Sequence, residues 1–341
     1  MRRAFVIDFL HTDSTGAVHV YDLDERRRVA SLPTRYAPEI APAADGSLVV
    51  ADFHGEVYSQ DSEIRLYDRE LRLSRTFTVG PRTRYNVRPS VALMAVTADG
   101  RDLVLVLIDT VGNDLAHNHV AALDLARGTL RAKRIKLAEN AFAFGLLDGG
   151  PRFFVAEQGR ELAGLGWGDP LRSSKLDAFH ELIDTRGRGW LGAMAAAAAT
   201  PDGKKVAMVS REARLAVADL PSRKFANPPL AVPSGMVVSL AHLALGGGRL
   251  FVGLASRESA SLGRSQAIHV FAWPSLRKLH EIVPRDPASQ LALTDGGRSL
   301  ALLSDAARSL ALFDAATGKQ SLALDDVAAA PVWMAFTSSR R

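Results

Sequence analysis

The chain has 341 residues, of which 47% are hydrophobic and 23% charged, with a net charge of +5 and no cysteine. These proportions are typical of a globular protein, and the lack of cysteine excludes a disulfide framework, a thiolate nucleophile and a Cys-ligated metal within the chain. No run of eighteen apolar residues occurs, so we expect no membrane span and no membrane partner. The arginines are scattered among predicted turns instead of forming one stripe, so we expect no nucleic-acid partner.

Glycine-bearing turns recur along the chain at intervals of roughly fifty residues. They lie at residues 43–46, 97–100, 147–150, 200–203, 246–248 and 294–297. Asp-Gly pairs suit such turns because glycine accepts a positive φ and the aspartate can bond the nearby backbone. Each turn is followed by a short aliphatic segment, which predicts a β-strand, and then by a third and a more polar fourth strand.

Aspartates stand at the end of the predicted third strand in several repeats, namely Asp22, Asp68, Asp124, Asp219 and Asp314. A ring of catalytic carboxylates is one interpretation of this pattern. Because the positions are equivalent, we favour a structural role in which each carboxylate accepts N–H bonds from its own hairpin turn.

Four short strands joined by hairpins at this period are typical of a propeller blade, so the sequence predicts an all-β, seven-bladed β-propeller in one domain over residues 1–341. Residues 4–32 hold only three predicted strands. The segment Pro331–Phe336 supplies the missing innermost strand, which closes the ring by pairing into the first blade. Helical spacing is weak and marks only residues 173–183 as a candidate helix.

No motif of an autonomous active site is present, so we expect no catalytic residue, no bound cofactor and no metal in this chain. His117 and His119 are weak metal candidates, because alternate residues on a strand face the same side; we favour a solvated loop for them instead. The tryptophans are expected to pack between blades. They are Trp167, Trp190, Trp273 and Trp333.

The order of these segments resembles that of the heavy chain of methylamine dehydrogenase and its aromatic amine dehydrogenase relatives, over almost the whole length. The similarity lies in the opening Arg-Arg-aromatic strand, the loop lengths and the turn motifs. The similar stretches are residues 2–8, 44–47, 64–68, 97–101, 250–271, with a polar insertion at 256–265, 304–305 and 310–318.

The resemblance implies a non-catalytic subunit that carries no cofactor itself. In that family two heavy chains hold two small light chains in a heterotetramer. The light chain carries tryptophan tryptophylquinone, oxidises primary amines to aldehyde and ammonia, and passes electrons to a small copper protein. The family is periplasmic, which the resemblance therefore implies here. The first residues carry no recognisable export signal, so the cytoplasm is the alternative.

One residue at the substrate channel is also implied by the resemblance. The family's heavy chain contributes an aromatic side chain to this channel, and the matching position is Tyr36, just before Ala37 and Pro38. An ordinary loop aromatic is an equally open interpretation of this tyrosine.

Two alternatives to an amine dehydrogenase subunit stay open. The first is a divergent, non-catalytic propeller that acts as a protein–protein interaction scaffold. It is supported by residues 140–157, which lack the cysteines of a disulfide common in the family. The second is an independent enzyme, such as a lactonase or lyase, which needs a metal or an acid–base cluster.

Overall fold

The computed structural model describes residues 2–10, 15–34, 38–54, 61–79, 90–111, 114–138, 140–158, 162–184, 194–257 and 263–337. These residues form 28 β-strands and a short 3-10 turn at Asp295–Gly297. The strands assemble into seven four-stranded sheets. The chain is therefore an all-β, seven-bladed β-propeller, and the predicted fold class is confirmed.

The first blades in the sequence have strands close to the predicted ones. Blade one contains β1 Arg3–Leu10, β2 Thr15–Asp22 and β3 Arg27–Thr34. Blade two contains β4 Glu39–Pro42, β5 Leu48–His54, β6 Asp61–Tyr67 and β7 Leu73–Thr78. Blade three contains β8 Ser90–Val96, β9 Asp102–Val111, β10 Asp114–Asp124 and β11 Thr129–Lys136. Blade four contains β12 Asn140–Leu146, β13 Phe153–Gln158, β14 Leu162–Gly168 and β15 Asp177–Asp184.

The remaining blades repeat the same order of strands. Blade five contains β16 Met194–Ala199, β17 Lys205–Ser210, β18 Leu215–Asp219 and β19 Lys224–Ala226. Blade six contains β20 Met236–Gly246, β21 Arg249–Ser256, β22 Ala267–Ala272 and β23 Lys278–Ile282. Blade seven contains β24 Gln290–Thr294, β25 Ser299–Ser304, β26 Ser309–Asp314 and β27 Gln320–Leu324, and the last strand is β28 Pro331–Phe336.

Blade one is completed by the C-terminal strand, in the order β28-β1-β2-β3. Beyond β28, the Thr337 N–H donates to the Arg3 carbonyl at 3.2 Å, and the Arg3 N–H donates to Thr337 Oγ1 at 3.2 Å. The predicted pairing of Pro331–Phe336 into the first blade is therefore confirmed. Pairing from β28 also covers an edge of β1 that would otherwise present unpaired backbone groups.

The predicted turns form with the chemistry that their sequence favours. The Gly100 and Gly203 N–H groups donate to the carbonyls of Thr97 and Thr200, each at 2.8 Å. Gly46 has a φ of 92°, in the region that glycine tolerates best. These turns depend on residues adjacent in sequence, which explains why they could be predicted from it.

The candidate helix at residues 173–183 is wrong. This stretch holds β15 Asp177–Asp184, the fourth strand of its blade. Phe179 in β15 contacts Phe225 of β19 edge-on, with ring centroids 5.6 Å apart. The apolar spacing that resembled a helix therefore serves contacts with another strand, because tertiary packing outweighs local propensity.

Residue contacts divide the chain into two compact units. One comprises residues 1–157, 166–178 and 335–340, and its fully buried side chains include Phe5, Ile64 and Phe153. The other comprises residues 158–165, 179–334 and 341, with Phe251 and Phe271 in its core. The single domain over residues 1–341 stays a prediction. In the described ranges, no helix is long and apolar enough to cross a membrane.

Candidate functional site

The predicted site residues are only partly within the described structure. Tyr36 lies outside the described residues, as does the side chain of His117. His119 is 6% exposed, and its Nε2 accepts a hydrogen bond from Arg134 Nη1 at 3.4 Å. The loop interpretation of both histidines is wrong, because both residues lie in strand β10, which pairs with β9. The side chain of His119 is also buried, not solvated. No cluster of three or more metal-ligating side chains occurs among the residues whose side chains are described.

The aspartates at the strand ends bond to their own turns. Asp124 Oδ1 accepts the N–H groups of Ala126 and Arg127, both at 3.0 Å. Asp22, Asp68, Asp219 and Asp314 accept backbone N–H groups in the same way. The backbone hydrogen bond from Arg127 holds the pKa of Asp124 below its ordinary value. The structural interpretation of this set is confirmed.

The tryptophans differ from one another in burial. Trp167 is 7% exposed, and Trp273 packs against a core cluster, so packing is confirmed for these two. Trp190 lies outside the described residues. Trp333 is 43% exposed, so its predicted burial between blades is wrong. Its neighbour on β28, Val332, is 39% exposed.

A hydrogen-bonded chain of Ser31, His19 and Asp8 crosses the three consecutive strands of blade one. Ser31 Oγ lies 2.8 Å from His19 Nδ1, and His19 Nε2 lies 3.0 Å from Asp8 Oδ2. Side chains of the same types, linked in this order, activate a nucleophile in serine hydrolases.

A comparison with blade two favours a structural role for the hydrogen bonds between Ser31, His19 and Asp8 over a catalytic one. Val6 pairs with His19, and Asp8 follows Val6 by two residues. In blade two Val50 pairs with Arg65, and Asp52 follows Val50 by two residues. Asp52 Oδ2 binds Arg65 Nη2 at 2.7 Å. The acid–cation pair therefore recurs at equivalent positions, with arginine in place of histidine, and an arginine cannot act as a general base.

Glu39 is a titratable residue that the sequence analysis missed. It opens β4, the first strand of blade two, and lies opposite Ala51 in β5. The side chain is only partly accessible, and burial raises the pKa of its carboxyl from an ordinary 4.5 to about 8. A carboxyl that titrates near neutral pH is a candidate proton donor or cation-binding group. Glu39 also stands three residues after Tyr36 in the sequence.

Replacing Glu39 with glutamine is expected to stabilise the protein at alkaline pH. Between pH 4.5 and about 8 the folded chain keeps a proton that the unfolded chain releases, so its free energy of unfolding falls as pH rises. Glu39→Gln removes this loss. We expect the substitution to raise the free energy of unfolding by about 2 to 4 kcal/mol at pH 8.5 and to change it little at pH 4. Denaturant unfolding across this pH range measures the effect.

The matched control is Glu25→Gln, at an exposed glutamate in a turn. It is expected to change the free energy of unfolding by less than about 1 kcal/mol, since solvent screens the ion pair between this glutamate and Arg27. If the free energy of unfolding changed with pH in the same way for Glu39→Gln and the unsubstituted protein, Glu39 would be ionised in the folded chain at neutral pH.

Comparisons with known proteins support the fold. The β-propeller domain of Myceliophteria thermophila Cps50 (Swd1) has a TM-score of 0.59 and 14% identity, covering 84% of this chain and 85% of that one. Kuenenia stuttgartiensis hydrazine synthase has a TM-score of 0.64 and 13% identity, covering 90% of this chain and 94% of that one. No protein-family model and no curated protein matches. At such low identity these similarities establish a β-propeller and leave function to the site.

Proposed function

We propose that this chain is the propeller subunit of a quinone-dependent primary-amine dehydrogenase. In this proposal it holds a small light chain that carries tryptophan tryptophylquinone and converts amines to aldehyde and ammonia. Two copies of each chain form the assembly, which is periplasmic and passes electrons to a small copper protein. The resemblance in segment order and the seven-bladed fold support the proposal, although propellers also serve many other functions.

The exposed side chain of Trp333 is the observation that carries the proposed role as a scaffold. Pro331 and Met334 on the same strand are buried, so Trp333 is held on a fixed backbone. Tryptophan is enriched among the residues that dominate protein–protein binding energy, because it buries a large rigid area at low entropic cost. An exposed tryptophan on a fixed backbone is therefore suited to contact with a partner protein.

Glu39 supports the amine as substrate class. A primary amine is an ammonium ion at neutral pH, and a carboxylate close to the site of binding favours that charged form. In the proposed assembly Tyr36 lies at the substrate channel, and Glu39 follows on the strand that begins just after it. Binding of an ammonium ion is expected to lower the pKa of Glu39 and to ionise it.

Replacing Trp333 with alanine tests the scaffold role. The tagged chain is returned to its source cells and purified with any small subunit bound to it. Trp333→Ala is expected to weaken binding of this subunit at least tenfold, as loss of a central tryptophan does in other interfaces. Phe225→Ala, at a residue 47% exposed on β19, is the control and is expected to keep full binding. Equal retention of the subunit by both variants would contradict the role of Trp333.

The interaction scaffold without redox function is a second candidate, because the exposed Trp333 suits partners of any chemistry. The visible absorption of the captured subunit separates the two functions. A quinone band supports the amine dehydrogenase, and a colourless partner supports the scaffold.

A further inference from the structure

The outer strand of blade five ends unusually early. β19 spans three residues, whereas the fourth strands of the other blades span five to eight. Asn227 is followed by Pro228 and Pro229, and proline has no N–H to donate to a strand ladder. Pairing resumes only at an isolated bridge between Arg214 and Pro229.

The gap left by this short strand opens into a pocket of about 440 Å³. Leu182, Ile183, Leu215 and Leu230 line it and are each no more than 9% exposed, so their side chains form an apolar floor. Small-molecule sites typically have this size and are mostly apolar, with a few polar groups that orient the ligand.

Two polar side chains stand at the rim of this pocket, Arg214 and Asn227, both exposed. Within the described residues the Arg214 guanidinium forms no ion pair. Arg264, by contrast, binds the Asp305 carboxylate through two parallel bonds of 2.8 and 2.9 Å. Arg214 therefore offers the same fork of donors without a carboxylate to receive it.

We propose that this pocket binds a small organic anion, an apolar molecule that ends in one carboxylate. The carboxylate accepts hydrogen bonds from the Arg214 fork and the Asn227 amide at the rim. The apolar part packs on the leucines and isoleucine of the floor. The pocket is built entirely from residues 182–230, so this inference is independent of the amine dehydrogenase proposal.

Calorimetric titration of the full chain with decanoate tests this site. We expect one decanoate to bind per chain, and decylammonium, with the same tail and the opposite charge, to bind at least about tenfold more weakly. Arg214→Gln is expected to weaken decanoate binding at least about tenfold, and Arg214→Lys is expected to weaken it less because the charge remains. Arg277→Gln, at an exposed arginine of blade six, is the control and is expected to bind like the unsubstituted chain.

Three outcomes would overturn the proposal. They are the absence of saturable decanoate binding, equal affinity for decanoate and decylammonium, and full affinity in Arg214→Gln. Arg214 is exposed, so its replacement is not expected to prevent folding, and matching melting curves check this. None of these measurements involves the quinone or the light chain. The outcome of the decanoate experiments therefore does not test the proposed function.

Discussion

A chain truncated after Ala330 is expected to lose its stable monomeric fold. The truncation removes β28, so the neighbouring edge of β1 loses its hydrogen-bonding partner in the sheet. An exposed strand edge is a template for association with other chains. The loss of the buried Met334 side chain alone is expected to cost about 2 to 5 kcal/mol. Size-exclusion chromatography and thermal unfolding measure the result.

A shorter truncation provides the control for this experiment. Removing only residues 338–341 leaves β28 and the contact between Thr337 and Arg3 in place. This variant is expected to stay monomeric and to melt like the full chain. If the chain that ends at Ala330 also stayed monomeric and melted like the full chain, closure by β28 would not stabilise the propeller.

Replacing Asp52 with asparagine is expected to destabilise the protein by about 3 kcal/mol or more. Asp52 is fully buried, and its carboxylate lies 2.7 Å from the Arg65 guanidinium, whose side chain is 18% exposed. The substitution keeps the shape of the side chain but leaves the arginine charge poorly compensated in a largely desolvated place. Denaturant unfolding at neutral pH measures the loss.

Glu63 provides a matched control because it contacts the same arginine. Glu63 Oε2 lies 3.3 Å from Arg65 Nε, and the Glu63 side chain is 28% exposed. Glu63→Gln is expected to cost less than about 1 kcal/mol, since solvent screens this pair. The difference between the two variants measures the effect of burial. Equal losses would show that burial of Asp52 does not set the strength of the pair.

The parts of the fold that depend on neighbouring residues could be predicted from the sequence. The Asp-Gly turns and the carboxylates that bond to them involve residues two to five positions apart. The last strand, Pro331–Phe336, was predicted at its observed bounds. The first repeat holds only three strands in the sequence, so its fourth strand had to come from the C-terminal end of the chain. The repeat period and the residues of the turns are therefore sufficient to predict most of the architecture.

Errors occurred where distant strands decide the structure. The helical spacing of residues 173–183 failed because β15 packs against β19, about forty residues later in the chain. His119 was assigned to a loop because polar residues surround it in the sequence. These polar residues do not show that β10 continues through this region and pairs with β9. Trp333 was expected to pack between blades, as large aromatic side chains often do, and no local signal shows that it is exposed.

The candidate sites could not be predicted from the sequence for the same reason, because each depends on residues that are distant in the chain. The raised pKa of Glu39 arises from its enclosure, which its neighbours in the sequence do not specify. The two prolines after Asn227 could be read as the end of a strand. The pocket beside them also needs Leu182 and Ile183 from another blade, which no local pattern predicts.

Purification of the complex from its source cells, followed by mass spectrometry and visible spectroscopy, tests the proposed function most directly. We expect a tightly bound small subunit, a quinone absorption band and amine-dependent reduction of a dye. A chain that purifies as a monomer, with no second subunit and no chromophore, would contradict it.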